Sequence, residues 1–103
     1  MSKYHAVKTE VDGYVFASKA EANRYSQLKL MEMAGEISYL ELQPKFPIVV
    51  NGVKICTYIA DFRYLYCGTN QIIEDVKGMK TPVYKLKKRL VEALYGITIT
   101  EIQ

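Results

Sequence analysis

The stretch NGVKICTYIADFRYLYCGTNQIIEDVK, residues 51–77, decides the fold. Asn51-Gly52 is the strongest hairpin-turn signal in the chain, because both residues tolerate the positive φ that a two-residue turn demands. It folds the strand before it back against a long strand running from about Val53 to Tyr66. Cys67-Gly68-Thr69-Asn70 makes the next turn, and Gln71 to Lys77 forms a further strand that Gly78 ends. Alternation along the long strand sets Thr57, Ile59, Asp61, Arg63 and Leu65 on one face, with Tyr58, Ala60, Phe62, Tyr64 and Tyr66 on the other. In the next strand Ile73, Asp75 and Lys77 share a face, which leaves Glu74 turned away as a bystander. Pairing around the second turn faces Tyr66 with Gln71, so partner numbers sum to about 137 and Asp61 lies across from Asp75 or Val76. Two carboxylates so placed repel one another unless a cation sits between them.

Upstream, Ile37 to Leu42 and Phe46 to Val50 read as strand, with Pro44 and Pro47 implying an edge, a bend or a break. Ser18 is an N-cap, and Glu21 three residues later completes a capping-box pattern for a helix that runs to about Ala34 and stops at Gly35. Glu21 shares its helix side with Tyr25 and Leu28, so its carboxylate turns towards the sheet as well as serving the cap. Residues 4 to 16 read as a hairpin about Asp12-Gly13. Downstream, Thr81-Pro82 starts a second helix whose Val83, Leu86, Leu90 and Leu94 form one apolar stripe. Gly96 stops that helix, and residues 97–102 alternate as a last strand. After the N-terminal hairpin the order is helix, three strands, helix, strand. This is an α/β chain with a mixed central sheet flanked by helices.

At 103 residues the chain is expected to be one domain, 1–103, with half its residues hydrophobic. Its nine tyrosines suit half-buried sheets and wet binding surfaces alike. The net charge of +3 is mild, but Lys80, Lys85, Lys87, Lys88 and Arg89 cluster locally. Such a patch either contacts phosphates or is a solvated helix face. Cys56, Cys67 and a single histidine, His5, supply neither a disulfide framework nor a zinc site, so reduced thiols in a cytosol are expected. No apolar run approaches the ~20 residues of a membrane span, and the N-terminus lacks a signal-peptide core. A cytoplasmic chain without a membrane partner is expected.

The Asp75-Val76-Lys77 triplet carries little by itself, since the composition predicts about one such triplet by chance. Its position is informative: it ends the strand paired with Asp61 and directly precedes a basic helix.

In this arrangement the chain resembles the PD-(D/E)XK, or restriction-endonuclease-like, nuclease superfamily, whose core order is αβββαβ. Asp61 matches the first signature acid, following Ala60 where the pattern often has proline, and Asp75 with Lys77 matches the second acid and the lysine. Glu21 matches the helix glutamate of many members. More closely, the chain is similar to a family of small, mostly phage-encoded proteins of that superfamily. That likeness runs through Tyr4-His5-Ala6, residues 16–25, Leu42-Gln43-Pro44, residues 58–62 and residues 74–78.

The resemblance implies a phage-encoded, metal-dependent DNA endonuclease in a bacterial host cytoplasm, with nicked or branched DNA such as Holliday junctions among its candidate substrates. Mg2+, with Mn2+ as a substitute, is the implied cofactor. Asp61 and Asp75 are hard oxygen ligands for it, with the Val76 carbonyl and Glu21 completing the set. Lys77 positions or deprotonates the attacking water. Gln43, Lys80, Tyr84, Lys85, Lys88 and Arg89 are the expected substrate contacts, with Lys85, Lys88 and Arg89 on the helix face away from the leucine stripe. Cutting two strands favours a homodimer, in which Leu30 and Met33 either form the interface or instead cover the N-terminal hairpin. The alternative is a catalytically inactive nucleic-acid-binding or adaptor domain of the same fold.

Overall fold

The computed structural model describes residues 7–103, and the proposed hairpin residues 4–6, His5 and the Tyr4-His5-Ala6 motif lie outside them. The chain runs β1 (Thr9–Val11), β2 (Tyr14–Phe16), α1 (Lys19–Met33), β3 (Ile37–Leu42), β4 (Lys45–Val50), β5 (Val53–Ile59), β6 (Phe62–Tyr66), β7 (Asn70–Val76), α2 (Pro82–Tyr95) and β8 (Ile99–Ile102). Strands β3, β6, β7 and β8 form a four-stranded sheet in that order. The first three are antiparallel, and β8 lies parallel to β7 after the α2 crossover, so the sheet is mixed as expected. Among the described residues no helix is long and apolar enough to cross a membrane.

The centre holds five strands rather than three. Gln43-Pro44 breaks the first expected strand, as its proline implies. The long strand breaks too, at Ala60-Asp61, which alternation does not reveal. Both breaks mark one crossing: Ala60 N–H donates to the Pro44 carbonyl and Gln43 N–H to the Asp61 carbonyl, at 3.1 and 2.9 Å. Beyond the crossing β4 and β5 pair only with each other, as a separate two-stranded arm closed by Asn51-Gly52. Both turn residues take positive φ, 51° and 78°, the geometry that matches the twist of a hairpin.

The main sheet separates two cores. Phe16, Ala22, Tyr25, Leu28, Phe62 and Tyr64 pack beneath α1, and Phe46, Ile48, Tyr58, Ile73, Val91 and Ile99 beneath α2. Fully burying a side chain such as Leu28 or Phe62 contributes roughly 1.5–3 kcal/mol. The expected tyrosine face therefore divides: Tyr58 and Ala60 serve the α2 core, whereas Phe62 and Tyr64 serve the α1 core.

Helix α1 starts as predicted, with Ser18 Oγ accepting from Glu21 N–H, and Ala22, Tyr25 and Leu28 are its buried side. Leu30 and Met33 are exposed and do not cover the described part of the hairpin. In α2 the cap is also as expected: Thr81 accepts from Tyr84 N–H, and Gly96 closes the helix at φ 65°. Its inward face is not the leucine stripe, however. Val83, Leu86 and Leu94 are 62%, 60% and 48% exposed, and the buried residue is Val91, flanked by Tyr84 and Leu90. The helix is turned about its axis because the tips of Tyr84 and Lys88 find a partner at the sheet, in Glu101.

Candidate functional site

Strand register decides which acids meet. Phe62 pairs with Glu74 and Tyr66 with Asn70, so partner numbers sum to 136, one less than expected. Continued by one residue, the register sets Asp61 against Asp75. Asp61 N–H donates to the Glu74 carbonyl at 3.1 Å, and the Asp61 carboxylate accepts Val76 N–H at 2.7 Å. Asp61 thus takes over the ladder where its own strand breaks.

Its carboxyl also lies against that of Glu21. Glu21 Oε2 accepts Ala17 N–H, one residue before the Ser18 N-cap, at 3.2 Å, so only the Ser18 half of the expected capping box forms and the Glu21 side chain ties down the chain entering α1. Burial first, then the hydrogen bond to Glu21, pushes Asp61 up to about 7, while Val76 N–H and the Lys77 charge pull the other way. Two carboxyls in such contact need a proton or a cation between them. A cavity of about 260 Å³ opens beside the pair, between Tyr14, Phe16 and Gln43. Gln43 holds a positive φ of 53°, a strained choice for a residue other than glycine.

Asp75 is fully buried, and neither carboxylate oxygen has a hydrogen-bond partner. Lys77 Nζ stands 3.9 Å from Oδ1, close enough to attract but beyond hydrogen-bond reach. Burial dominates and pushes Asp75 up to about 6, with Lys77 opposing it. Lys77 Nζ rests 4.8 Å from the centre of the Tyr84 ring, a cation–π contact that holds it at the mouth of the α2 side.

Glu21 and Asp61 are therefore brought together on the α1 side, and Asp75 and Lys77 on the α2 side. Among the described residues no three His, Cys, Asp or Glu side chains are gathered into one metal-holding group. The donors still suit a hard cation: Asp75 carries two orphaned buried oxygens, and at the Glu21–Asp61 contact the Lys77 charge is outweighed by burial and by the neighbouring carboxyl.

These shifts set a pH dependence. Both carboxyls keep protons in the folded chain at pH values where the unfolded chain, at the ordinary 3.8, has released them. Stability from this source is complete below about pH 4 and is lost progressively as pH rises towards 7. Without divalent cations the melting temperature is expected to fall between about pH 5 and pH 8, and millimolar Mg2+ is expected to restore it at pH 8. The same Mg2+ response in an Asp61→Asn, Asp75→Asn double variant would show that these acids do not bind the cation.

The expected substrate contacts fall into two groups. Lys85 and Arg89 are exposed on α2, and Gln43 is exposed at the kink. Lys80, Tyr84 and Lys88 instead converge on Glu101, at 2.9, 2.8 and 3.4 Å, so Lys88 does not share the solvent face of Lys85 and Arg89. The Lys80 hydrogen bond, then that of Tyr84, lowers Glu101 to about 2. Sequence reasoning missed Glu101 as the anchor of this cluster; its parity with Ile99 on β8 is the signal that it faces α2.

Glu74 is no bystander. It is buried on the α1 side, where Arg24 grips it with Nε at 2.8 Å and Nη2 at 2.6 Å, and the Tyr64 hydroxyl donates to the same carboxylate. Burial and this hydrogen bond raise the Tyr64 hydroxyl well above its ordinary value. Its place between Ile72 and Val76 on an inward parity was the available sign.

A family model described as a protein of unknown function, DUF1064, matches residues 1–101. No curated protein and no solved structure matches the chain.

Proposed function

Since the chain belongs to the DUF1064 family, whose function is unknown, we propose from the site itself that it is a metal-dependent DNA endonuclease of the restriction-endonuclease-like type. The observation that carries this reading is Asp75, a fully buried carboxylate with both oxygens unpartnered, next to Lys77 and across the hairpin from Asp61. A structural acid in that position is costly without a countercharge. Three antiparallel strands and a parallel fourth, with a helix on either face, support the fold assignment.

Asp61, Asp75, Glu21 and the Val76 carbonyl are the groups that would hold Mg2+ or Mn2+. When bound, such a cation makes a water more acidic and offsets charge on the phosphate. The chain's own residues do the rest. Lys77, steadied on the Tyr84 ring, orients the attacking water and stabilises the charge developing on the phosphate oxygens. Lys85 and Arg89, exposed on α2, draw in the strand through its phosphates without reading sequence, so binding weakens with salt. Glu101 holds Tyr84, Lys80 and Lys88 in place, so these three frame the lysine and strand path rather than reach freely for DNA.

The test is cleavage of linear, nicked and branched DNA by purified protein in Mg2+ or Mn2+. Lys77→Ala is expected to lower cleavage by more than about 100-fold, far more than it weakens DNA binding, while leaving the fold in place. A folded protein that binds DNA yet cuts none of the substrates is the non-catalytic adaptor, and the enzyme reading then fails.

A further inference from the structure

The two sides of the acidic site offer different chemistry to a nucleic-acid strand. On the α2 side the lining of a hollow of about 350 Å³ includes Lys77, Thr81 and Lys87, groups that bind a phosphate. On the α1 side the cavity of about 260 Å³ has no lysine or arginine in its lining. Its walls are Tyr14, Val15 and Phe16 of β2, the Gln43 kink, and the Glu21 and Asp61 carboxyls. If the cation proposed above takes up the Glu21 and Asp61 carboxyls, the rest of the lining is aromatic, aliphatic and amide surface with no basic side chain for a phosphate. A nucleobase is uncharged, flat and edged with donors and acceptors, and it suits aromatic walls with an amide at the rim.

We infer that this cavity receives one unpaired nucleobase of the DNA strand being cut, so that the substrate is single-stranded, flapped or branched rather than continuous duplex. The inference rests on the nuclease reading above and adds the substrate class to it. Tyr14 is half exposed, yet its ring is steadied by Phe16 and Tyr25, at 6.4 and 5.8 Å between centroids. That is a rigid surface on which a base can stack. Gln43 is exposed, and its left-handed backbone is fixed by the Gln43 N–H to Asp61 carbonyl bond, so the amide is held at the same rim. The Asp61–Asp75 line separates the two hollows. A strand crossing it leaves its phosphates on the lysine side and turns one base to the aromatic side. A base inside a duplex would first have to leave the stack, at a cost of a few kcal/mol that an unpaired base largely avoids.

The experiment uses the full chain with Ca2+ replacing Mg2+, so that DNA is bound without being cut. Two probes share one sequence and one 2-aminopurine, which lies in a short unpaired flap in the first and in continuous duplex in the second. Fluorescence polarisation is expected to give roughly tenfold tighter binding to the flap, within the range that stacking one base on an aromatic ring contributes. Tyr14→Ala, and separately Val15→Glu at the exposed rim, are expected to bring the ratio close to one, with the fold checked by circular dichroism. Lys87→Ala is expected to weaken both probes alike. Equal affinity for the two probes by a protein that does cleave DNA in Mg2+ overturns the inference and leaves the nuclease reading standing. An unchanged ratio in both β2 variants overturns it as well. Folded protein that binds neither probe and cuts nothing overturns the nuclease reading, and the inference with it.

Discussion

Asp75→Asn is expected to stabilise the metal-free chain at about pH 8 by roughly 1–2 kcal/mol while lowering cleavage by more than about 100-fold. The two effects come from the same atoms. Asp75 is fully buried, neither oxygen is hydrogen-bonded, and the nearest cationic nitrogen is 3.9 Å away. At that pH the carboxyl has lost the proton that burial favours, so the folded state carries a poorly compensated charge. Asparagine keeps the shape and removes the charge. With that negative charge goes one of the two oxygens offered to a cation, so Mg2+ is expected to stabilise the wild type far more than the variant. Urea unfolding with and without Mg2+, beside a cleavage assay, reads all three quantities. Loss of stability in the metal-free variant would make Asp75 a structural residue and remove the main support for the proposed activity.

Arg24→Ala is expected to cost about 3 kcal/mol of folding stability, read by the same urea unfolding. Glu74 is buried, whereas the Arg24 side chain keeps about a fifth of its surface in water, so the low end of the range for breaking a buried pair applies. Without the guanidinium, the Glu74 carboxylate keeps the Tyr64 hydroxyl but has no cation. Arg24→Lys should recover little, because the two parallel bonds from Nε and Nη2 need the planar fork. Replacing Arg24, Glu74 and Tyr64 together by Leu, Leu and Phe should cost far less than the single change. A loss below about 0.5 kcal/mol for Arg24→Ala would show that the pair does not anchor α1. Arg24 and Glu21 are three residues apart on one side of that helix, so the grip that ties α1 to β7 also sets the aim of Glu21 at Asp61.

The order of helix, strands, helix and strand could be read in the sequence wherever punctuation is local, though not the number of central strands. Asn51-Gly52, Ser18 with Glu21, Thr81-Pro82 and Gly96 act within a few residues, and each lies where expected. The break at Ala60-Asp61 was hidden because alternation reports which way a side chain points, not which sheet its strand has joined. Tyr58, Ala60, Phe62 and Tyr64 keep one parity through a crossing that carries them from one core to the other. The turn of α2 was hidden for a related reason. Counting aliphatic side chains selects Leu86 and Leu94, yet Tyr84 and Lys88 face inward, because Glu101, 13 residues beyond Lys88, receives their polar tips. The facing of Asp61 and Asp75 was legible to within one residue, since a hairpin links them. The Arg24–Glu74 pair spans 50 positions, and no local rule reaches that far.

The crossing at Gln43-Pro44 and Ala60-Asp61 also bears on how such a chain can diversify. Residues 45–59 leave and re-enter the main sheet at neighbouring points, clasped by two backbone hydrogen bonds. Phe46, Ile48 and Tyr58 at the base of the arm are tied to the α2 core, but Val49 to Lys54 at its tip are exposed. Lengthening or trimming that tip leaves the pairing of β6 with β7 untouched, and with it the spacing of Asp61 and Asp75. The fold thus carries a segment whose reach can drift under selection while the chemistry beside it stays in register.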